Sequence, residues 1–158
     1  MSTLTPVTCE LTEGAPQILV RPRHSHNREI AQYALTRYEK LVEVGMARRV
    51  IDPIYGSPLF VVHKKGPDKY RTVVDMKLLN KWTKRSALLM PNLEAQIGYT
   101  KGANWFGGFD VLIGFAHLPV HEDFLKYFTV VTDFGAFVLL GAPQEWVKHP
   151  KSSRTVWS

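Results

Sequence analysis

Trp105-Phe106-Gly107-Gly108-Phe109-Asp110-Val111-Leu112-Ile113-Gly114-Phe115 sets one carboxylate in an apolar run with glycines on both sides. A buried carboxylate without a partner costs several kcal/mol or takes up a proton. An ionised Asp110 therefore requires a cation, a cluster of donors or a cleft open to water. The run reads as a strand ending near Asp110, then a tight turn and a short segment to Val120. Phe115 lies five residues after the carboxylate. It closes the floor of a pocket if Asp110 holds a metal-bound triphosphate; otherwise it is a core aromatic.

Downstream, Glu122 to Tyr127 suggests a helical turn. Phe128-Thr129-Val130-Val131-Thr132 reads as a strand, Asp133-Phe134-Gly135 as a turn and Ala136 to Leu140 as the return strand. Upstream, Ile30, Ala34, Tyr38, Leu41 and Gly45 follow one face of a 3.6-residue period. They predict a helix from Arg28 to about Met46, with Asn27 as its cap and Gly45 as its stop. Leu59-Phe60-Val61-Val62 and Tyr70-Arg71-Thr72-Val73-Val74 flank Gly66-Pro67-Asp68, the pattern of a hairpin. Lys77 to Pro91 reads mostly as loop, and Asn92 to Tyr99 as a short capped helix. Strands and helices mix without a βαβ rhythm, so the expected class is α+β, antiparallel hairpins with packed helices. Residues 1–25, with Arg21-Pro22-Arg23, read as a flexible arm, 26–142 as the folded domain and 143–158 as an irregular tail.

The chain has 158 residues and a net charge of +6. The excess is local: from Arg37 to Arg85 there are 12 basic and 5 acidic residues. Such a stretch suits a polyanion, whose phosphates attract Lys and Arg; the plainer reading is a solvated face. Cys9 is the only cysteine, which excludes an intrachain disulfide and a Cys-based zinc site. No apolar run approaches the ~18 residues of a membrane span, and the N-terminus lacks a signal-peptide pattern. An intracellular location is therefore expected.

The hairpin gathers Lys64, Lys65, Lys69 and Arg71 around one turn, and Lys69 and Arg71 share a strand face. A basic hairpin can clamp a triphosphate, Arg as a fork and Lys as a point charge; its plainer role is solubility. Lys77, Lys81, Lys84 and Arg85 interleave with Trp82, a pattern that suits phosphate contacts plus base stacking, or simply an exposed loop. His117 and His121 have a zinc-like spacing, but Pro119 between them breaks the helix that a site there needs. Asp133-Phe134-Gly135 matches a kinase tripeptide without that family's other motifs, and serves better as a turn.

Taken in order, these pieces resemble the reverse transcriptase domain of gypsy-type long-terminal-repeat retrotransposons. The likeness runs from about Tyr38 to Gly141. It is carried by Leu41-Val42-Glu43-Val44-Gly45-Met46, Ser57-Pro58-Leu59-Phe60-Val61-Val62-His63-Lys64-Lys65, Tyr70-Arg71-Thr72-Val73-Val74-Asp75 and Leu79-Asn80-Lys81-Trp82-Thr83. Pro91-Asn92-Leu93, Phe109-Asp110, Gly114-Phe115, Leu118-Pro119-Val120, Glu122-Asp123 and Phe128-Thr129 with Thr132 continue the series. The resemblance implies a partial right-hand polymerase, fingers plus the first part of the palm. It implies that Asp110 and the backbone carbonyl of Val111 bind Mg²⁺, and that Lys64 and Arg71 contact the incoming triphosphate. Phe115 would exclude a ribose 2′-hydroxyl. Beside these implied roles, the basic and aromatic interleaving makes Lys81, Trp82, Lys84 and Arg85 the candidate nucleic-acid contacts. The implied partners are an RNA or DNA template-primer and a dNTP. The implied chemistry is phosphoryl transfer between two Mg²⁺ ions about 4 Å apart.

The sequence also departs from that family. Leu139-Leu140-Gly141-Ala142-Pro143-Gln144 is a shortened second palm motif in which Gly141 and Gln144 align loosely. The family's Tyr-x-Asp-Asp hairpin does not appear in these residues. Lys77 stands for the usual Arg, and Gly107-Gly108 replace stiffer residues. Mg²⁺ needs octahedral oxygen coordination, which Asp110 alone does not supply for two ions. The expectation is a truncated reverse transcriptase without autonomous polymerase activity, with Val130, Val131, Phe137 and Val138 partly exposed for want of later strands. A basic nucleic-acid-binding module without catalysis and an inert retroelement remnant are the competing readings.

Overall fold

In the structure, a computed structural model that describes residues 5–22, 27–66, 69–84, 93–108, 114–144 and 146, the first long element is α1 (Arg28–Glu43). The Asn27 side-chain oxygen accepts the N–H groups of Glu29 (2.9 Å) and Ile30 (3.4 Å), two of the donors that a helix start leaves unpaired. Its other end closes three residues before Met46 because Gly45 takes a left-handed φ of +73°. The Met46 N–H then reaches back to the Leu41 carbonyl (2.8 Å) and the Gly45 N–H to that of Val42 (3.1 Å). This crossed pair is a Schellman stop.

Five strands follow: β1 (Ala47–Val50), β2 (Ser57–His63), β3 (Tyr70–Val74), β4 (Thr129–Thr132) and β5 (Gly135–Leu139). They form one sheet in the order β1-β5-β4-β2-β3. β2 and β3 are the expected hairpin, with His63 opposite Tyr70 and Leu59 opposite Val74. β4 and β5 are the second hairpin, with Thr132 opposite Gly135. β2 joins β4 in parallel through only Ser57↔Val130 and Pro58↔Val131. Gly56 precedes that junction, where an added Cβ would overlap the Val131 side chain. The close parallel contact therefore depends on glycine.

α1 packs on one sheet face through Ala34 and Tyr38, with the Tyr38 ring 5.2 Å from that of Phe137. A 3₁₀ turn over Glu122–Phe128, capped by His121, supplies buried Leu125 and Phe128. Val130 and Phe137 are 0% exposed and Val138 6%. The expected exposure of these strands is thus corrected: α1 and the 3₁₀ turn bury them, and only Val131 stays half-buried. Fully burying a Phe or Val side chain stabilises by about 1.5–3 kcal/mol.

Two further expectations change. Lys77–Trp82 is a helix, α2, and not loop. The Asp75 carboxylate accepts the Lys77 N–H (3.0 Å), and Met76 and Leu79 are each 2% exposed. Burial of two apolar side chains outweighs the lack of a sequence-level cap. Within residues 5–22, the described part of the supposed arm, Val7, Cys9 and Ile18 are buried, while most of the other side chains are exposed. Val7 sits in the core, its N–H donating to the Pro119 carbonyl (2.7 Å) while its own carbonyl accepts from His121 (2.9 Å). The Lys84 N–H reaches Glu10 (2.8 Å), and the Thr12 N–H reaches Trp82 (2.7 Å). This strip staples the end of α2 to residues 118–121. α3 (Leu93–Tyr99) forms, its expected cap Asn92 lying outside the described residues, and Trp146, placed in the tail, is buried edge-on against Phe128 at 5.0 Å.

Candidate nucleotide and nucleic-acid interface

The β2–β3 hairpin has two unlike faces. His63 and Tyr70, Val61 and Thr72, and Leu59 and Val74 are paired on the side toward α1. The opposite side carries Phe60, Val62, Arg71 and Val73 by the two-residue alternation of a strand. The Lys64 N–H donates to the Lys69 carbonyl (2.9 Å), which continues the ladder one step and puts Lys64 and Lys69 on this second face. Cations directly opposite one another repel, by a few tenths of a kcal/mol to about 1. A bound polyanion removes that repulsion. Phe60 and Val62 are 37% and 43% exposed beside them, so the face pairs positive charge with apolar surface. Lys69 and Arg71 share it, as the spacing predicts.

Arg71 also reaches across the fold. Its guanidinium donates to the side-chain oxygen of Gln144 at 2.9 Å, joining residues 73 positions apart. Gln144 was not among the sequence-predicted site residues. Its only signal was the loose match of Gly141 and Gln144 to a palm motif. Gly141 is placed beside the 3₁₀ turn Gly114–His117, where an added Cβ would fall on the Ala116 carbonyl. Residues 118 and 142 are joined by the Ala142 N–H to Leu118 carbonyl bond (3.0 Å). Arg71, Gln144 and the segment that follows Phe115 are therefore brought to one region. Asp110, Val111 and Arg85 lie outside the described residues, as does the side chain of Phe115.

The other basic group is at the far end of β3. Lys81 and Trp82 are on α2, with the Lys81 ammonium 5.7 Å from the Trp82 ring centre. Lys84 pairs with Glu10 at 3.5 Å; both side chains are more than half exposed, so the pair adds under about 1 kcal/mol. From Arg71 to the end of β3 at Val74 is roughly 10 Å at ~3.3 Å per residue, and α2 begins three residues further on. Two hollows, of about 180 Å³ beside Ile30 and Phe134 and about 280 Å³ beside Arg48 and Leu125, include neither Lys64 nor Arg71. The basic face is open, which suits an extended ligand better than an enclosed one.

The donor set bears on Mg²⁺. Among the described residues no three His, Cys, Asp or Glu side chains group around a common point. Asp75 is committed to the Lys77 N–H, and Asp133 is in the exposed β4–β5 turn. One Asp110 carboxylate and the Val111 carbonyl fall short of what two octahedral ions require. The described residues supply no further carboxylate group that would complete a two-ion site.

No helix among the described residues is long and apolar enough to cross a membrane. No protein-family model matches the chain. It is 38% identical over 84 residues to a polyprotein of Cassava vein mosaic virus, a match covering 50% of this chain and 13% of that protein. It is 28% identical over 109 residues to the retrovirus-related Pol polyprotein from transposon 297 of Drosophila melanogaster, covering 66% of this chain and 10% of the relative. Against the Gag-Pol polyprotein of bovine immunodeficiency virus, identity is 27% over 144 residues, 80% of this chain and 10% of the other. The chain thus spans about a tenth of the length of the curated relatives it matches. By sequence, it is similar to a segment of retroviral and retrotransposon Pol polyproteins and reads as a retroelement pol-derived fragment.

Proposed function

We propose that this chain is the fingers and first palm portion of a retroelement reverse transcriptase, and that its basic hairpin face binds a nucleoside triphosphate and a nucleic-acid strand. The Arg71–Gln144 hydrogen bond carries the reading, because it links the fingers hairpin to the segment resembling a palm motif. The ordered motif series and the Pol relatives support it. In this reading Arg71 and Lys64 bind the triphosphate oxygens, Gln144 orients Arg71, and Phe115 faces the sugar. Asp110 and the Val111 carbonyl contribute to Mg²⁺ binding. The isolated 158-residue chain then binds nucleotide without polymerising it.

Fluorescent dTTP titrated into the purified chain tests binding. Lys64→Ala with Arg71→Ala is expected to weaken it tenfold or more, since each charge-assisted hydrogen bond contributes about 1.5–3 kcal/mol. A folded wild-type chain that binds no dTTP, or a double variant that binds as well as wild type, would sink the reading. Primer extension on a primed RNA is expected to give no product; robust extension would overturn the inactivity.

A further inference from the structure

β3 is the terminal strand of the sheet, so among the described residues one of its edges has no strand beside it. The Lys64–Lys69 bond and the His63↔Tyr70 register put the bonding groups of residues 69, 71 and 73 toward β2. Those of Tyr70 point to the open edge. There the Tyr33 hydroxyl, on α1, donates to the Tyr70 carbonyl at 2.8 Å. That carbonyl shares a rigid peptide plane with the N–H of Arg71. Holding the carbonyl fixes the rotation of the plane, and so the direction in which the Arg71 side chain leaves the strand.

The grip is stiff at both ends. The Tyr33 and Tyr70 rings lie 5.4 Å apart, and Tyr70 meets His63 across the hairpin at 4.9 Å. On α1, Ala34 and Tyr38 are 4% and 3% exposed, and Tyr38 rests on Phe137 in the core. α1 is thus anchored in the core by Ala34 and Tyr38, and from it Tyr33 reaches Tyr70, the residue before Arg71, whose guanidinium meets Gln144. We propose that Tyr33 is a positioning residue, whose hydroxyl aims the Arg71 guanidinium at Gln144 by holding the Tyr70 carbonyl. The proposal rests on the reading that Arg71 serves a nucleotide, but its geometry is testable without one.

Tyr33→Phe removes the hydroxyl and keeps the ring. The readout is the Gln144 side-chain amide in ¹H–¹⁵N spectra of the full chain, assigned through Gln144→Ala. Arg71→Ala is expected to shift these signals, and Tyr33→Phe to move them most of the way to the same position. Backbone signals around Phe137 should stay in place. Gln144 signals that remain at their wild-type position in Tyr33→Phe while moving in Arg71→Ala overturn the proposal. So do signals that move in neither variant, since the contact itself is then missing. In the second arm, Tyr33→Phe is expected to weaken dTTP binding about fivefold, with no added effect in Arg71→Ala. If wild type binds no dTTP, the functional reading fails and the spectra still decide the role of Tyr33.

Discussion

Tyr70 shows how much one strand residue absorbs. Desolvation among its neighbours, then the negative charge of Glu29 and a hydrogen bond to that carboxylate, hold its phenol above its ordinary value of 10.0. The folded state thus favours the neutral phenol. Its contribution is complete below the unfolded value and is lost as pH rises through the raised folded one. Denaturation midpoints are expected to be flat for this group to about pH 9 and to fall above about pH 10. Tyr70→Phe should lose that part of the alkaline fall; an identical pH profile in the variant would remove the assignment. Gly141 is the other decisive single position. Its missing Cβ leaves room for the Ala116 backbone, which cannot swing aside as a side chain would. Gly141→Ala is expected to destabilise by about 1–3 kcal/mol in urea unfolding, and an unchanged midpoint would contradict the close approach. Neither role was legible in the sequence. Gly141 stood out only as a loose motif match, and nothing near Tyr70 announces Tyr33, 37 positions away.

At the scale of elements, local chemistry was readable where it acts over a few residues. The Asn27 cap, the Gly45 stop and both hairpins follow from capping, left-handed φ and two-residue alternation. Asn27→Ala is expected to lower stability by about 1 kcal/mol, read as a drop in thermal midpoint; no drop would mean that packing alone holds α1. α2 was missed because its sequence advertises charge, Lys77 and Lys81, while its stability comes from buried Met76 and Leu79 and from Asp75, placed just before it. The N-terminal strip was missed for a related reason. Its pairing partners, Pro119, His121 and Trp82, are remote in sequence, so no local period records them.

For the whole molecule, the net charge of +6 sets an expectation about nucleic acid. If the hairpin cations cover about four phosphates of a single strand, log K should fall against log salt with a slope of about −3. Lys64→Glu with Lys69→Glu should flatten it by about 1.4. A salt-independent signal, or one blind to these changes, would remove the hairpin from the interface. Lys84 should matter less, since Glu10 already partners it.

The sequence by itself determined the local elements, the clustering of charge and the likeness to Pol segments, because caps, turns, alternation and motif order are short-range or ordered along the chain. The tertiary structure decided which faces are covered. It brought Val7 and Cys9 into the core, buried Val130 and Phe137 under α1 and the 3₁₀ turn, and joined Arg71 to Gln144. Those outcomes depend on contacts between residues tens of positions apart. Such pairs form wherever packing leaves the best-filled core, and no local pattern encodes them.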